Sequence, residues 1–378
     1  MELAIVKHIK KYGLEKTLAK FKLIHKDYPK KVLIKYDQIL ASPTLMALPE
    51  LQESRGIILE KGTWKVMSLT FKKFFNSEEG NAHKLDREST IIMEKLDGSL
   101  MQLHYDWNCD TWFAGTTGTA EGEGEVNNLE QKTFNNLFWA VIKEKYGLDY
   151  SAFDKNFCYG LELTTPYNIV VTPHGVSKAT LLMARDLRTL EEVSFEDLVV
   201  MSDKIGIPLV KTYDFKGWDV GTLKRTFDTM TWIDEGYVLV DKYFKRVKVK
   251  NPSYVAVHHT KNKMAAYHIM EVVKSNELDE YLAVFPDRFD ELTEIKAKYD
   301  KFGVELTEAW EVIKLGKPKN ISPQEKKRFA TLVFEESTRL GYKEFTGLFF
   351  SLSAGRYDDV YGWLREWKNK ELYEYLTK

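Results

Sequence analysis

A lysine that closes an apolar run and is followed at once by a turn has the makings of a nucleophile. Residues 91–99, Ile-Ile-Met-Glu-Lys-Leu-Asp-Gly-Ser, put Lys95 in that position. The Asp97-Gly98 pair predicts a tight hairpin turn from one strand into the next. Over apolar material an ammonium loses hydration, which lowers its pKa from about 10.4 and frees the amine for attack. A surface lysine beside an ordinary hairpin gives the same short pattern, so the weight falls on its companions. Leu161-Glu162-Leu163 sets a carboxylate inside an apolar strand, where it needs a ligand or a cross-sheet cation. Asp234-Glu235-Gly236 sets another at the mouth of a strand. In residues 244–250, Phe-Lys-Arg-Val-Lys-Val-Lys, alternation puts Arg246, Lys248 and Lys250 on one face and Val247 and Val249 on the other. Three cations on one face repel one another unless a triphosphate or RNA phosphate lies over them. A solvated edge strand is the plainer alternative.

Other residues of similar chemistry fit simpler roles. Residues 115–124 are glycine-rich, but they lack the lysine of a P-loop and carry Glu121 and Glu123, with Glu125 just beyond. They read as a mobile loop. The adjacent His258 and His259 do not share a helical or strand face, so a junction role suits them better than metal binding. His104 and His174 have no partners at metal-ligand spacing.

The elements that must hold these residues change character near residue 253. Before it, strands are predicted over residues 32–39, 56–60, 64–71, 91–94, 99–105, 111–116, 157–163, 179–187, 209–215, 236–240 and 244–250, the last two forming a hairpin. Helical periodicity interrupts over residues 3–25, 127–146, 194–205 and 219–230. After residue 253 the pattern is helical, over 267–285, 289–302, 305–315, 323–340, 343–353 and 357–376. Ser322-Pro323-Gln324-Glu325 is a capping box with proline at the first helical position, and Gly341 and Gly355 are stop signals. The fold class is therefore α+β over residues 1–253, followed by a helical domain over 254–378.

Composition agrees with two domains in 378 residues, with 44% hydrophobic and 29% charged residues and a mean hydropathy of −0.37. Lys+Arg is 55 against Asp+Glu 56, a net charge of −1, so nucleic acid cannot be bound by bulk charge and must be met by local clusters. Two cysteines exclude a disulfide framework and point to a reducing, cytoplasmic setting. The N-terminus reads as a charge-broken amphipathic helix rather than a signal peptide, and no run approaches the roughly 20 apolar residues of a membrane span.

In this order the motifs resemble those of the covalent nucleotidyltransferases, the ligases and mRNA capping enzymes. Lys95-Leu96-Asp97-Gly98 is similar to their motif I, Leu161-Glu162-Leu163 to motif III, and residues 180–186 to motif IIIa. Glu235-Gly236-Tyr237-Val238 is similar to motif IV and Val247-Lys248-Val249-Lys250 to motif V. With Glu53-Ser54-Arg55-Gly56-Ile57 and Lys72-Lys73-Phe74-Phe75-Asn76, the resemblance narrows to the phage-type RNA ligase 1 family, the tRNA-repair ligases. Residues 347–353, Gly-Leu-Phe-Phe-Ser-Leu-Ser, resemble that family's helical domain. DNA ligases usually carry arginine where Leu100 stands, and they and capping enzymes follow motif V with a β-barrel; here helices follow.

The resemblance implies a nucleotidyltransferase (adenylyltransferase) domain with antiparallel sheets and an all-helical C-terminal domain. It implies an ATP-dependent RNA ligase that joins 5′-phosphate and 3′-hydroxyl ends through a lysyl-adenylate and an adenylylated RNA, in RNA or tRNA repair. ATP would be a substrate and Mg2+ the metal, with Mn2+ as a substitute. Lys95 would be the nucleophile, and Tyr36 would lie at the ATP site. Arg55 and Lys73 would contact ribose and phosphates, and Glu162 the ribose or a hydrated metal. Glu235 would order metal waters, and Lys248 and Lys250 would bind the α-phosphate. Tyr254 matches a family tyrosine, and Asp279 with Glu280 an acidic pair that meets the metal-triphosphate. One departure is Thr117, neutral where the family often has a lysine. The implied partners are single-stranded or nicked RNA, including tRNA, met by a monomer in the host cytoplasm with no membrane. A DNA ligase, a GTP-using capping enzyme and a non-catalytic RNA-binding protein are the alternatives.

Overall fold

The computed structural model describes all residues except 1, 39, 127–128, 216, 261–265, 276–277, 285–287, 318–321, 342–344, 358 and 378. Contacts divide the chain into two compact units, Met1–His258 and His259–Lys378. The division falls inside the helix Pro252–Thr260, a few residues beyond the change of pattern at 253.

Three larger sheets and a two-stranded one, Glu125–Val126 with Leu129–Thr133, are formed by the described residues of the first unit. The first orders its strands Leu23–Asp27, Lys31–Tyr36, Arg55–Glu60 and Val66–Ser68, all antiparallel. The helices Ala4–Tyr12 and Leu14–Phe21 bury Ile5, Val6, Ile9, Leu18 and Phe21 against it. The periodicity over residues 3–25 reads as one helix, but Gly13 at φ +87° breaks it, and its last stretch pairs as a strand instead. The second sheet runs Lys178–Asp186, Phe157–Thr164, Ser99–Asp106 and Thr111–Gly115, again antiparallel, with a core of Met101, Leu103, Leu161 and Leu163. The helix Phe134–Tyr146 covers that core; its N-cap Thr133 accepts from Asn136 N, so it starts later than the pattern over 127–146 suggests.

The third sheet orders Thr212–Tyr213, Ile91–Glu94, Gly236–Val240, Arg246–Lys250 and Phe75–Asn76; its pairs are antiparallel except the last. The expected hairpin of the last two long strands is present, in register Gly236↔Lys250 to Val240↔Arg246. The expected hairpin at Asp97-Gly98 is not. Ile91–Glu94 belongs to the third sheet and Ser99–Asp106 to the second, so Lys95–Gly98 is a crossover between sheets. Gly98 is there for close approach: a Cβ on it would stand 2.5 Å from the Leu163 carbonyl oxygen and 2.9 Å from Thr164 Cγ2.

Among its described residues the second unit is helical throughout: Ala266–Ser275, Leu278–Val284, Phe289–Leu315, Pro323–Arg339, Thr346–Ser353, Val360–Glu366 and Asn369–Leu376. Ser322 caps the fourth of these through Glu325 N, as the capping box requires. The two helices expected over 289–315 are one. Phe302, Leu306, Ala309, Trp310 and Ile313 hold one buried stripe through it, and Gly303 serves close approach instead, since a Cβ there would strike the Tyr361 ring at 2.6 Å. Phe302, Phe345, Trp363, Trp367 and Tyr375 form an aromatic cluster with ring centroids 4.9–6.1 Å apart in contacting pairs. No described helix is long and apolar enough to cross a membrane.

Candidate active site

Lys95 is fixed by its neighbours in the third sheet: its N–H donates to the Gly236 carbonyl at 2.9 Å. Its Nζ lies 2.6 Å from Glu235 Oε1, and Lys250 Nζ lies 4.0 Å from the same oxygen. Glu235, buried to 7% side-chain exposure, is held by its carbonyl, which accepts from Asn251 N. Asn251 Nδ2 also donates to the Thr231 and Asp234 carbonyls, fixing the turn that leads into Glu235.

The crossover behind Lys95 is pinned by Asp97. Its carboxylate accepts from Val171 N at 2.8 Å, Thr172 N at 2.5 Å and the Tyr254 hydroxyl at 2.8 Å. His174 Nε2 lies 2.5 Å from the Asp97 carbonyl oxygen, which gives this histidine a structural place. A single buried carboxylate thus ties the lysine's loop to residues 171–174 and to the helix Pro252–Thr260. Tyr254 acts through Asp97 and does not line the cavity.

Lys95 opens onto a cavity of about 530 Å3 between the second and third sheets. Arg55, Glu162, Lys248 and Lys250 line it too. Glu162 stands opposite Leu100 in the second sheet and makes no hydrogen bond or ion pair among the described residues. Burial pushes its carboxyl up to about 8; Lys95 and Arg55 oppose that rise, and the charges of Glu235 and Asp97 add to it. Arg55 stacks near Phe71 and Phe74, and its Nη1 is buried without a hydrogen-bond partner among the described residues. Its neighbour Gly56, at φ +80°, passes Thr117 so closely that a Cβ would stand 2.7 Å from its Cα. Thr116 and Thr117 thereby reach the cavity wall, so Thr117 faces the site as a neutral group.

Several residues fall elsewhere. Tyr36 and Lys73 sit together, with Lys73 Nζ 5.6 Å from the Tyr36 ring, but neither lines the Lys95 cavity; Lys73 opens onto a neighbouring one. Arg246 shares the face of Lys248 and Lys250 as alternation requires, but its charge is met from within the protein: it pairs with Glu192, which Arg185 also contacts. Asp279 is exposed on the helix Leu278–Val284 of the second unit, and the Glu280 side chain lies outside the described residues. The loop over 115–124 is tied down. Glu121 pairs with Lys31 at 2.8 Å, and Glu123 with Lys26 at 2.7 Å and Tyr28 at 2.5 Å. Sequence reasoning missed Ser99, Phe74 and Phe134 in the cavity wall. The first two flank motif residues; Phe134 carries no signal beyond its apolar type.

An amine held against a carboxylate, in a cavity that also gathers Arg55, Lys248 and Lys250, suits attack on a phosphorylated substrate. That places the molecule among enzymes that transfer a nucleotidyl group through lysine. The particular branch follows from comparison: the chain belongs to the phage-type RNA ligase family, whose RNA ligase model matches residues 53–254, more than half of it. It is similar to the RNA ligase of Rhodothermus phage RM378, 24% identical over 73% of this chain and 76% of that protein. It is also similar to a putative bifunctional polynucleotide kinase/RNA ligase of Autographa californica nuclear polyhedrosis virus, 28% identical over 63% of this chain but only 35% of the viral protein. Among solved structures it resembles an archaeal ATP-dependent RNA ligase at 13% identity and a TM-score of 0.47, covering 78% of each chain. RNA ligation is the activity of this family, and RNA its substrate.

Proposed function

We propose that the protein seals RNA 5′-phosphate and 3′-hydroxyl ends with ATP, through an adenylate on Lys95. The observation that carries this reading is the convergence of Lys95, Glu162 and the cations Arg55, Lys248 and Lys250 around one cavity, with Glu235 paired to Lys95. The free amine of Lys95 attacks the α-phosphorus. The N–P bond forms, the bond to the β-phosphate oxygen breaks, and pyrophosphate leaves. Glu235, 2.6 Å from Nζ, is placed to take the proton that the amine loses. Lys248 and Lys250 meet the charge on the α-phosphate, and Arg55 supplies its unused donor to a phosphate or ribose oxygen. Glu162, whose carboxyl burial pushes up and which has no hydrogen-bond partner among the described residues, is placed to meet a sugar hydroxyl. AMP then passes to the 5′-phosphate of RNA, and the 3′-hydroxyl displaces it.

The donors also fit a hydrated Mg2+. Among the described residues no three His, Cys, Asp or Glu side chains converge, so water and phosphate would complete its shell beside Glu235 and Glu162. Such an ion supplies charge neutralisation at the polyphosphate. The finer reading, repair of broken RNA loops including those of tRNA by a monomer in the cytoplasm, rests on the motif resemblance. The test is incubation with radiolabelled ATP or GTP, followed by denaturing electrophoresis and mass mapping. An ATP-specific adduct on Lys95 is expected. In Lys95→Arg the adduct should vanish, while sealing of pre-adenylylated RNA survives in part, since arginine keeps the charge but offers no deprotonatable amine. An adduct in that variant, or one formed from GTP alone, overturns the proposal.

A further inference from the structure

We infer that the turn Asp241–Lys245, which closes the hairpin Gly236–Val240/Arg246–Lys250, is a docking platform for single-stranded RNA: a base stacks on Tyr243 and an adjoining phosphate is held by Lys245. The inference rests on the RNA-ligase reading above.

The turn is built rigidly. Asp241 is buried, and its carboxylate accepts from Tyr243 N and Lys245 N at 3.0 Å and from Asp86 N at 3.1 Å. Two main-chain bonds, Asp241 N to the Lys245 carbonyl and Phe244 N to the Asp241 carbonyl, close it. Phe244 sits at φ +59°, a conformation that costs a side-chain-bearing residue stability. This strained, well-tied turn presents Tyr243 to solvent, 64% exposed, with its ring open to a stacking partner.

The chemistry around the ring is that of a single-strand site. Lys242 Nζ lies 5.2 Å and Lys245 Nζ 5.8 Å from the Tyr243 ring centroid. Lys242 pairs with Asp86 at 2.9 Å, but Lys245 Nζ has no carboxylate or hydrogen-bond acceptor among the described residues. An open π-face beside an uncompensated ammonium takes a base and its phosphate together. The turn lines a cavity of about 1060 Å3 that also holds Lys73, whose Nζ likewise has no acceptor among the described residues. Of the carboxylates lining that cavity, Glu192 is neutralised by Arg185 and Arg246 and Asp186 pairs with Arg188, while Glu191 and Asp197 are exposed. Phe74 and Arg246 line both this cavity and that of Lys95, so a strand resting on Tyr243 would lie beside the cavity of the nucleophile.

The experiment uses the full chain with Tyr243→Ala, Tyr243→Phe and Lys245→Ala. Adduct formation from labelled ATP without RNA should stay within about twofold of the unaltered protein. Anisotropy of a labelled, 5′-phosphorylated single-stranded RNA should show binding weakened by about tenfold in Tyr243→Ala and restored in Tyr243→Phe, the order expected for loss of one stacked base. Lys245→Ala should reduce the slope of log K against log salt by about 0.7, one phosphate contact. Unchanged RNA binding in Tyr243→Ala together with an unchanged salt slope in Lys245→Ala overturns the platform. So does a parallel fall in adduct formation and RNA binding, which would place these residues at the nucleotide instead. Binding is read without ATP, so a failure of the Lys95 chemistry leaves this result standing on its own.

Discussion

Glu162 carries a carboxyl that burial holds near 8, against an ordinary 4.5. A group raised in this way stabilises the fold fully below its unfolded pKa and loses that contribution as pH climbs through its folded one. The thermal stability of the protein should therefore fall between about pH 5 and 8 relative to Glu162→Gln, by at most about 1.4 kcal/mol per pH unit. Parallel melting profiles for the two proteins across that range would exclude Glu162 as the source. Asp97 gives a second expectation. Tyr254→Phe removes one of three donors to a buried carboxylate, a bond to a charged group worth about 1.5–3 kcal/mol. Its melting temperature should fall, and adenylation should slow because the loop carrying Lys95 loosens; an unchanged rate at a lowered melting temperature would confine Tyr254 to stability. That network was not legible in the sequence: two of the three donors are main-chain N–H groups of Val171 and Thr172, which residue identity does not encode. The convergence of Lys95, Glu162, Lys248 and Lys250 was legible, because Glu162, Lys248 and Lys250 stand at strand positions whose neighbours fix the direction they face and Lys95 directly follows a strand.

Alternation along Arg246–Lys250 separates two kinds of effect within one short strand. Val249 is fully buried with Ile92, Leu223 and Tyr237, while Lys248 and Lys250 face the cavity. Val249→Ala should cost about 2 kcal/mol in chemical denaturation. Lys248→Ala and Lys250→Ala should leave stability nearly unchanged and slow adduct formation. Equal rate losses in all three at equal stability would contradict the strand's facing. Gly98→Ala belongs to the same scale: a methyl placed 2.5 Å from the Leu163 carbonyl must push apart the two sheets that the crossover joins, costing about 1–3 kcal/mol, measured by denaturant titration. Strand periodicity was readable for most elements, but their partners were not. Asp97-Gly98 reads locally as a hairpin, and only pairing with strands far along the chain assigns its two arms to different sheets. Arg246 reads as a cation for phosphate because its counter-ion, Glu192, lies 54 residues away. Gly303 reads as a helix end because the Tyr361 ring that requires it is likewise remote.

The two units carry separate cores, and the tryptophans Trp363 and Trp367 pack within the second unit's aromatic cluster. Within that unit Lys274, buried to 5%, donates to the Trp367 carbonyl and Asn369 Oδ1 at 2.7 Å, with the Arg365 carbonyl at 3.3 Å, joining the last two helices to Ala266–Ser275. Burial lowers its pKa to about 8. The first unit holds every residue of the Lys95 cavity, so a fragment ending at residue 260 should fold and still form the lysyl-adenylate. It should seal linear RNA while losing preference for a nicked stem-loop; an unchanged ratio between the two substrates would show that the helical unit takes no part in selection. A cut at residue 254 is a worse choice than the sequence suggests, because it severs the helix that holds Tyr254 on Asp97.

The seam between sheets also sets when the molecule becomes reactive. Lys95 comes from an early strand, while Glu235, Lys248 and Lys250 come from the final hairpin of the first unit. A ribosome delivers these parts in order, at about 5–20 residues per second. Until Lys250 has emerged, the amine has neither its carboxylate nor the lysines that line its cavity, and a chain ended before that point should form no adduct. Synthesis itself thus arms the enzyme, and does so only once the first unit is complete.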